Sequence, residues 1–160
     1  MTKRFSHIVE NKATMVDVSN KKETIREAHG YGKISFKRQV FLKVKENNLK
    51  KGEIFSTARI ASIQAAKKTS ELIPLCHNIK INFISVDFGF LDKENSIIIN
   101  TIVKTTENTG VEMEALTAVN VAALTIYDMC KSLDKTIKIL EIKLKYKSGG
   151  KSGTFKNDSI

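Results

Sequence analysis

From Gly30 onward, the hydrophobic positions of this chain switch between the two-residue period of a strand and the roughly 3.6-residue period of a helix. Tyr31 to Phe36 reads as a strand with Ile34 and Phe36 on one face. Lys37 to Glu46 fits both periods: Val40, Leu42 and Val44 alternate, while Val40, Phe41 and Val44 share a helical face. We read it as a strand turning into a short helix, ended by a break at Asn47, Asn48 and Gly52. Between Glu53 and Leu72, the stripe Ile54, Ala58, Ala61, Ala65 and Leu72 predicts a helix whose alanines allow close approach, stopped by Pro74. Ile79, Ile81 and Phe83 then alternate, and the phase moves to Ile84, Val86, Phe88 and Phe90, predicting a bulge near Phe83. A turn at Asp92 to Asn95 and a strand over Ile97 to Thr105 complete a hairpin. A long apolar helix follows, ending near Leu133. In the last strand, Ile137 to Lys147, Leu140, Ile142, Leu144 and Tyr146 point one way and Glu141, Lys143 and Lys145 the other.

Strand, helix, strand, strand, helix, strand is the order of the ferredoxin-like split βαβ fold. It is an α+β class with an antiparallel sheet and its helices packed on one face. One domain over residues 30–147 is expected. Residues 1–29 are polar apart from Met15, Val16 and Val18 and are expected to form a mobile arm. Residues 148–160, rich in glycine and lysine, are expected to form a flexible tail.

Composition narrows the class. With 41% hydrophobic and 28% charged residues in 160, the chain reads as globular, and no apolar run approaches the ~20 residues of a membrane span. The start, MTKRFSHIVENKA, lacks a secretory apolar segment, so the cytoplasm is the expected compartment, with Cys76 and Cys130 as free thiols. A net charge of +10 favours an anionic partner without saying which.

Candidate chemistry concentrates on TGVEMEALTAVNVAALTIYDMCK, residues 109–131. Between Ala115 and Tyr127 the polar residues are Thr117, Asn120 and Thr125, so the helix should be buried on more than one side. Glu112 and Glu114 precede this run; Asp128 and Lys131 end it. Asp128 and Lys131, three apart, share a helix face and can serve one ligand as an acid-base pair. Glu112 and Glu114, two apart, diverge on a helix but agree on an extended segment, so either Glu112 lies in an extended lead-in or the two serve different surroundings. Fourteen positions separate Glu114 from Asp128, roughly 21 Å along the axis. One site using both therefore needs a second, antiparallel copy of the helix across a two-fold axis. An acid at an apolar helix C-terminus is also costly, which calls for compensation by Lys131 or by function.

Elsewhere the signals are thinner. SGGKSG lacks the earlier glycine of a phosphate-binding P-loop, where Lys145 stands, but leaves Lys147 and Lys151 as a candidate anion clamp. His77, beside Cys76 at a helix-to-strand junction, is a candidate by position. No paired spacing among Cys76, Cys130, His7, His29 and His77 suggests zinc. Lys51 carries no local signal above a surface lysine.

The strings MVDVS (15–19), KGEIFSTARIASIQAAK (51–67), LIPLCH (72–77), residues 109–131 above and KSGGKSG (147–153) closely resemble the cyclic pyranopterin monophosphate synthase family, the C protein of molybdenum cofactor biosynthesis. The likeness runs from about Phe5 to Lys156, with Asn78 standing where the family commonly has proline. It implies a lyase acting on 3′,8-cyclo-7,8-dihydroguanosine 5′-triphosphate with release of pyrophosphate. By the resemblance, Asp128 and Lys131 are catalytic, with Lys51 and His77. Leu75, Cys76, His77, Glu112, Met113, Glu114 and Lys147 line the substrate, and Lys67 is a further candidate for its phosphates. The resemblance implies a hexamer built as a trimer of dimers, no resident cofactor, with Mg2+ on the triphosphate left open, and neither a nucleic-acid nor a membrane partner. Two rivals stand against it: an RNA-binding ferredoxin-like module using Phe83, Phe88 and Phe90 for stacking, and a purely structural oligomerisation domain.

Overall fold

The computed structural model describes the backbone of residues 6–51 and 53–157, and the side chains of these except residues 48–51. Its elements are β1 (Ile8–Val9), β2 (Lys12–Ala13), β3 (Thr24–Ser35), α1 (Arg38–Lys51), α2 (Glu53–Lys67), α3 (Thr69–Leu72), β4 (Phe83–Leu91), β5 (Ser96–Glu107), α4 (Glu112–Cys130), β6 (Lys138–Ser148) and β7 (Phe155–Lys156). One sheet runs β4-β5-β3-β6-β7 with every neighbouring pair antiparallel. The first long strand sits between the third and the fourth, the ferredoxin-like split βαβ arrangement. α2 and α4 pack together on one face, over a core that includes Ile34, Val86, Ile97, Ile99, Val119, Ala122, Ala123 and Ile126.

Glycine seats the long helix on the central strand. A Cβ at Gly30 would stand 2.6 Å from Thr101 Oγ1, 2.7 Å from Val119 and 2.8 Å from the Ala115 carbonyl, and one at Gly32 would meet Val119 at 2.5 Å. The small inward positions Ala28, Gly30 and Gly32 let α4 approach the backbone. They also hid the strand, which begins at Thr24 rather than at Tyr31 and takes in the end of the expected arm.

Three further expectations are corrected. Residues 38–51 are helical throughout, with no strand and no break at Asn47 and Asn48, while Gly52, the third residue of the expected break, lies outside the described residues: Val40, Phe41 and Val44 are buried, whereas Leu42 is 51% exposed, as a helical face requires. No bulge interrupts β4. It pairs continuously with β5 from Phe83 to Leu91, and the phase change at Phe83 marks where a non-sheet segment carrying Ile79 and Ile81 enters the strand. The irregularities lie in β6 instead. There Glu141 takes φ +54°, and the register against β3 jumps between Leu140 and Lys143 and again between Leu144 and Tyr146. Each jump reverses the side that follows, so Ile139, Ile142 and Leu144 face the core, Leu140 is exposed, and Tyr146 lies against the His29 ring at 4.7 Å.

The described residues on either side of the domain expected over 30–147 also pair. β1 and β2 form a small hairpin across Glu10 and Asn11, both with positive φ. After β6, Gly149 and Gly150 turn at φ +94° and +71°, and Phe155–Lys156 pair back onto Tyr146 and Lys147. Phe88 stacks on Phe55 at 4.6 Å and Phe90 lies 5.3 Å from the same ring, so two of the three aromatics that an RNA-binding sheet would need are taken up by α2. Among the described residues, no helix is long and apolar enough to cross a membrane.

Candidate active site

Four segments that are distant in sequence meet at the N-terminal end of α4. β5 delivers Thr109 and Gly110 to the start of the helix, the loop after α3 delivers Leu75, Cys76 and His77, and β6 delivers Lys147 near its end. The N-terminal segment adds Ser6, His7, Val16 and Lys21. Together they enclose a cleft of about 440 Å³. Because it caps the end of the helix rather than lying along its side, Glu112, Met113 and Glu114 all line it. This resolves the choice left open by their spacing: Glu112 is helical, yet both glutamates address one cleft.

The two carboxylates have different surroundings. Glu112 Oε1 accepts a hydrogen bond from Lys147 Nζ at 2.7 Å, a half-buried ion pair that ties α4 to β6. Lys147 also reaches Ser152 Oγ at 3.3 Å in the glycine-rich turn. Glu114 is only 4% exposed, and burial, with a smaller contribution from the Glu112 charge, pushes its carboxyl up to about 7. That is the range a carboxyl needs to give and take protons near neutrality. Burial, and then the nearby Glu114, also raise the Cys76 thiol, which keeps it protonated and a poor nucleophile. His77 Nε2 lies 2.8 Å from the Val16 carbonyl, an acceptor, so Nε2 carries hydrogen and Nδ1 is the nitrogen left for a ligand.

Asp128 and Lys131 stand at the other end of α4, outside this cleft. They pair at 2.5 Å on the surface, and Asp128, 68% exposed by side chain, is not desolvated in the single chain, contrary to the apolar setting inferred from sequence. The aspartate holds the Lys131 ammonium above its ordinary range. Lys67, exposed at the end of α2, is not among the residues lining the cleft. The Lys51 side chain lies outside the described residues. Ser6, His7, Val16 and Lys21 were missed as candidates; the signal available was the apolar cluster Met15, Val16 and Val18 in an otherwise polar arm. No group of three or more His, Cys, Asp or Glu residues is placed to hold a metal ion among the described residues.

Residues 15–150 match the model of the MoaC family. The chain belongs to that family. The match takes in Val16, Lys21 and every other lining residue of the cleft except Ser6 and His7. Among curated relatives, the cyclic pyranopterin monophosphate synthase of Clostridium botulinum (strain Alaska E43 / Type E3) is 51% identical over 159 residues, covering 99% of this chain and all of that protein. The cyclic pyranopterin monophosphate synthase of Natranaerobius thermophilus is 48% identical over the same shares. That of Thermoanaerobacter sp. (strain X514) is 53% identical over 150 residues, 93% of this chain and 94% of its own.

Proposed function

We propose that the protein is a cyclic pyranopterin monophosphate synthase, a lyase of molybdenum cofactor biosynthesis that converts (8S)-3′,8-cyclo-7,8-dihydroguanosine 5′-triphosphate to cyclic pyranopterin monophosphate and pyrophosphate. Beyond the family relationship, the observation that carries this reading is a single cleft that gathers a nearly buried Glu114, His77 and the Glu112–Lys147 pair. Opening and reclosing a purine-derived ring takes repeated proton transfers, and a buried carboxyl and an imidazole lining one cleft can serve both directions. Pyrophosphate departure builds negative charge, which the Lys147 ammonium in the cleft would balance. Mg2+ enters this proposal only as a counter-ion of the triphosphate, and no resident cofactor is assigned.

Asp128 and Lys131 belong to the same reaction only if another copy supplies them. We place them opposite Glu114 of a neighbour, with two α4 helices antiparallel across a two-fold axis and such dimers arranged as a hexamer. Two features support this: the roughly 21 Å between Glu114 and Asp128 along one helix, and the outward side of α4, which offers Leu124 (56% exposed) and Met113 to a partner. The compartment proposed is the cytoplasm, in keeping with free Cys76 and Cys130.

The test is to incubate the protein with the cyclised dihydroguanosine triphosphate and follow pyrophosphate. Stoichiometric release with formation of a cyclic phosphate product supports the proposal. Inertness of folded protein toward that nucleotide removes it.

A further inference from the structure

The N-terminal segment that brings Val16 and Lys21 to the cleft forms a strap there, and side chains from two different connections hydrogen-bond to it. His77 Nε2 donates to the Val16 carbonyl at 2.8 Å, and Asn108 Nδ2 donates to the Val18 carbonyl at 3.2 Å. His77 comes from the loop after α3, Asn108 from the connection between β5 and α4. Between the two carbonyls, Asp17 Oδ1 accepts from the Ser19 N–H at 2.9 Å and from Ser19 Oγ at 2.6 Å, which folds the strap into a local turn. The Val18 carbonyl also accepts the Lys21 N–H at 3.0 Å, so the group that Asn108 holds also shapes the turn bringing Lys21 to the cleft.

Apolar burial does little to hold this strap. Met15, Asp17 and Ser19 are exposed, and Val16 and Val18 are only half-buried. Hydrogen bonds to its main chain therefore decide whether it stays. Asn108 suits that task, because a carboxamide can present an N–H2 to a carbonyl while an aliphatic side chain of equal size cannot.

We infer that Asn108 is a positioning residue, which latches the Met15–Lys21 strap over the cleft and thereby keeps the Val16 carbonyl on His77 and Lys21 at the substrate. Asn108 itself does not line the cleft. It acts through the strap, on the Nε2–H form of His77 and on the closure of the site. The catalytic half of this inference rests on the proposed function; the latch itself does not.

Two variants and two readouts separate these. Asn108→Leu keeps the size and removes the donor; Asn108→Gln keeps a donor. In the full-length protein without substrate, Asn108→Leu should speed amide hydrogen exchange at Ser19 and Lys21, the hydrogen-bonded N–H groups of the turn, by roughly fivefold, the equivalent of one ordinary hydrogen bond. It should also move the 15N resonances of His77 away from a pure Nε2–H form. With the cyclised nucleotide, KM should rise by a similar factor while kcat stays within about twofold, and Asn108→Gln should recover part of both changes. Unchanged exchange and unchanged His77 resonances in Asn108→Leu would overturn the latch. A faster-exchanging strap with an unaltered KM would overturn its role in substrate binding. Wild-type protein that turns nothing over sinks the functional reading, and the exchange and 15N measurements then judge the latch alone.

Discussion

Glu114 shows how burial, more than any neighbouring charge, sets a residue's chemistry. Its carboxyl is 4% exposed and titrates at about 7 in the folded chain, against 4.5 as an ordinary glutamate. Between those values the folded state holds a proton that the unfolded chain has lost, so stability falls as pH rises from 4.5 to 7 and stays lowered above. Glu114→Gln removes the charge that burial penalises. In the unassembled chain it should raise stability by about 3 kcal/mol at pH 8 and by almost nothing at pH 4, read as urea midpoints. A gain of equal size at both pH values would disprove the assignment. Asp128 is the opposite case. It is exposed and paired with Lys131, so Asp128→Asn should leave the thermal midpoint nearly unchanged. Its turnover should nonetheless drop by at least about 100-fold, the ordinary worth of a general acid-base residue; near-wild-type pyrophosphate release would take Asp128 out of the mechanism.

At the scale of elements, the long helix depends on a strand that it nearly touches. Gly30→Ala places a methyl against Thr101 Oγ1, Val119 and the Ala115 carbonyl, and Thr101 Oγ1 already donates to that carbonyl at 3.0 Å. Lifting α4 off β3 should cost about 1–3 kcal/mol in denaturant titrations, and a neutral result would mean that the helix is not seated as described. The same closeness explains what could be read from the sequence. The spacing of apolar residues announced α2, α4, β4 and β5, and with the strands read at Tyr31 to Phe36 and Ile137 to Lys147 the split βαβ order followed. The part of β3 before Tyr31 stayed hidden because close packing there demands Ala28 and Gly30, which carry almost no hydrophobic signal. The β6 bulges were hidden too, since Glu141 is an unexceptional residue until its positive φ is seen. Of the cleft, Leu75 to His77, Glu112 to Glu114 and Lys147 were legible from the helix boundaries and the family likeness. Val16 and Lys21 were legible only as an apolar cluster around Val16, because what holds them there is a pair of main-chain carbonyls, taken by His77 and Asn108, and a carbonyl has no sequence signature.

For the whole molecule, the decisive question is whether one chain contains a complete site. Glu114 opens into the cleft at one end of α4, and Asp128 sits on the surface at the other. If two copies share their sites as proposed, each site takes Glu114 from one chain and Asp128 from its neighbour. Glu114→Gln and Asp128→Asn homo-oligomers should then both be inactive. Mixed and allowed to reassociate at random, half of the pairs are heterodimers in which one site is doubly defective and the other intact. The mixture should recover about a quarter of wild-type activity by this two-fold arithmetic. A chain complete in itself gives no recovery at any mixing ratio. Leu124→Glu supplies the complementary measurement, since a charge on the exposed side of α4 should hold the copies apart. Sedimentation should show the smaller species, turnover should fall with it, and the Glu114 carboxyl should titrate near 7. In the assembled protein, a neighbour's Lys131 beside Glu114 would pull that carboxyl below 7, because a nearby cation favours the ionised form. A Glu114 that titrates identically in assembled and separated chains would mean that no such lysine arrives, and the shared site would have to be abandoned.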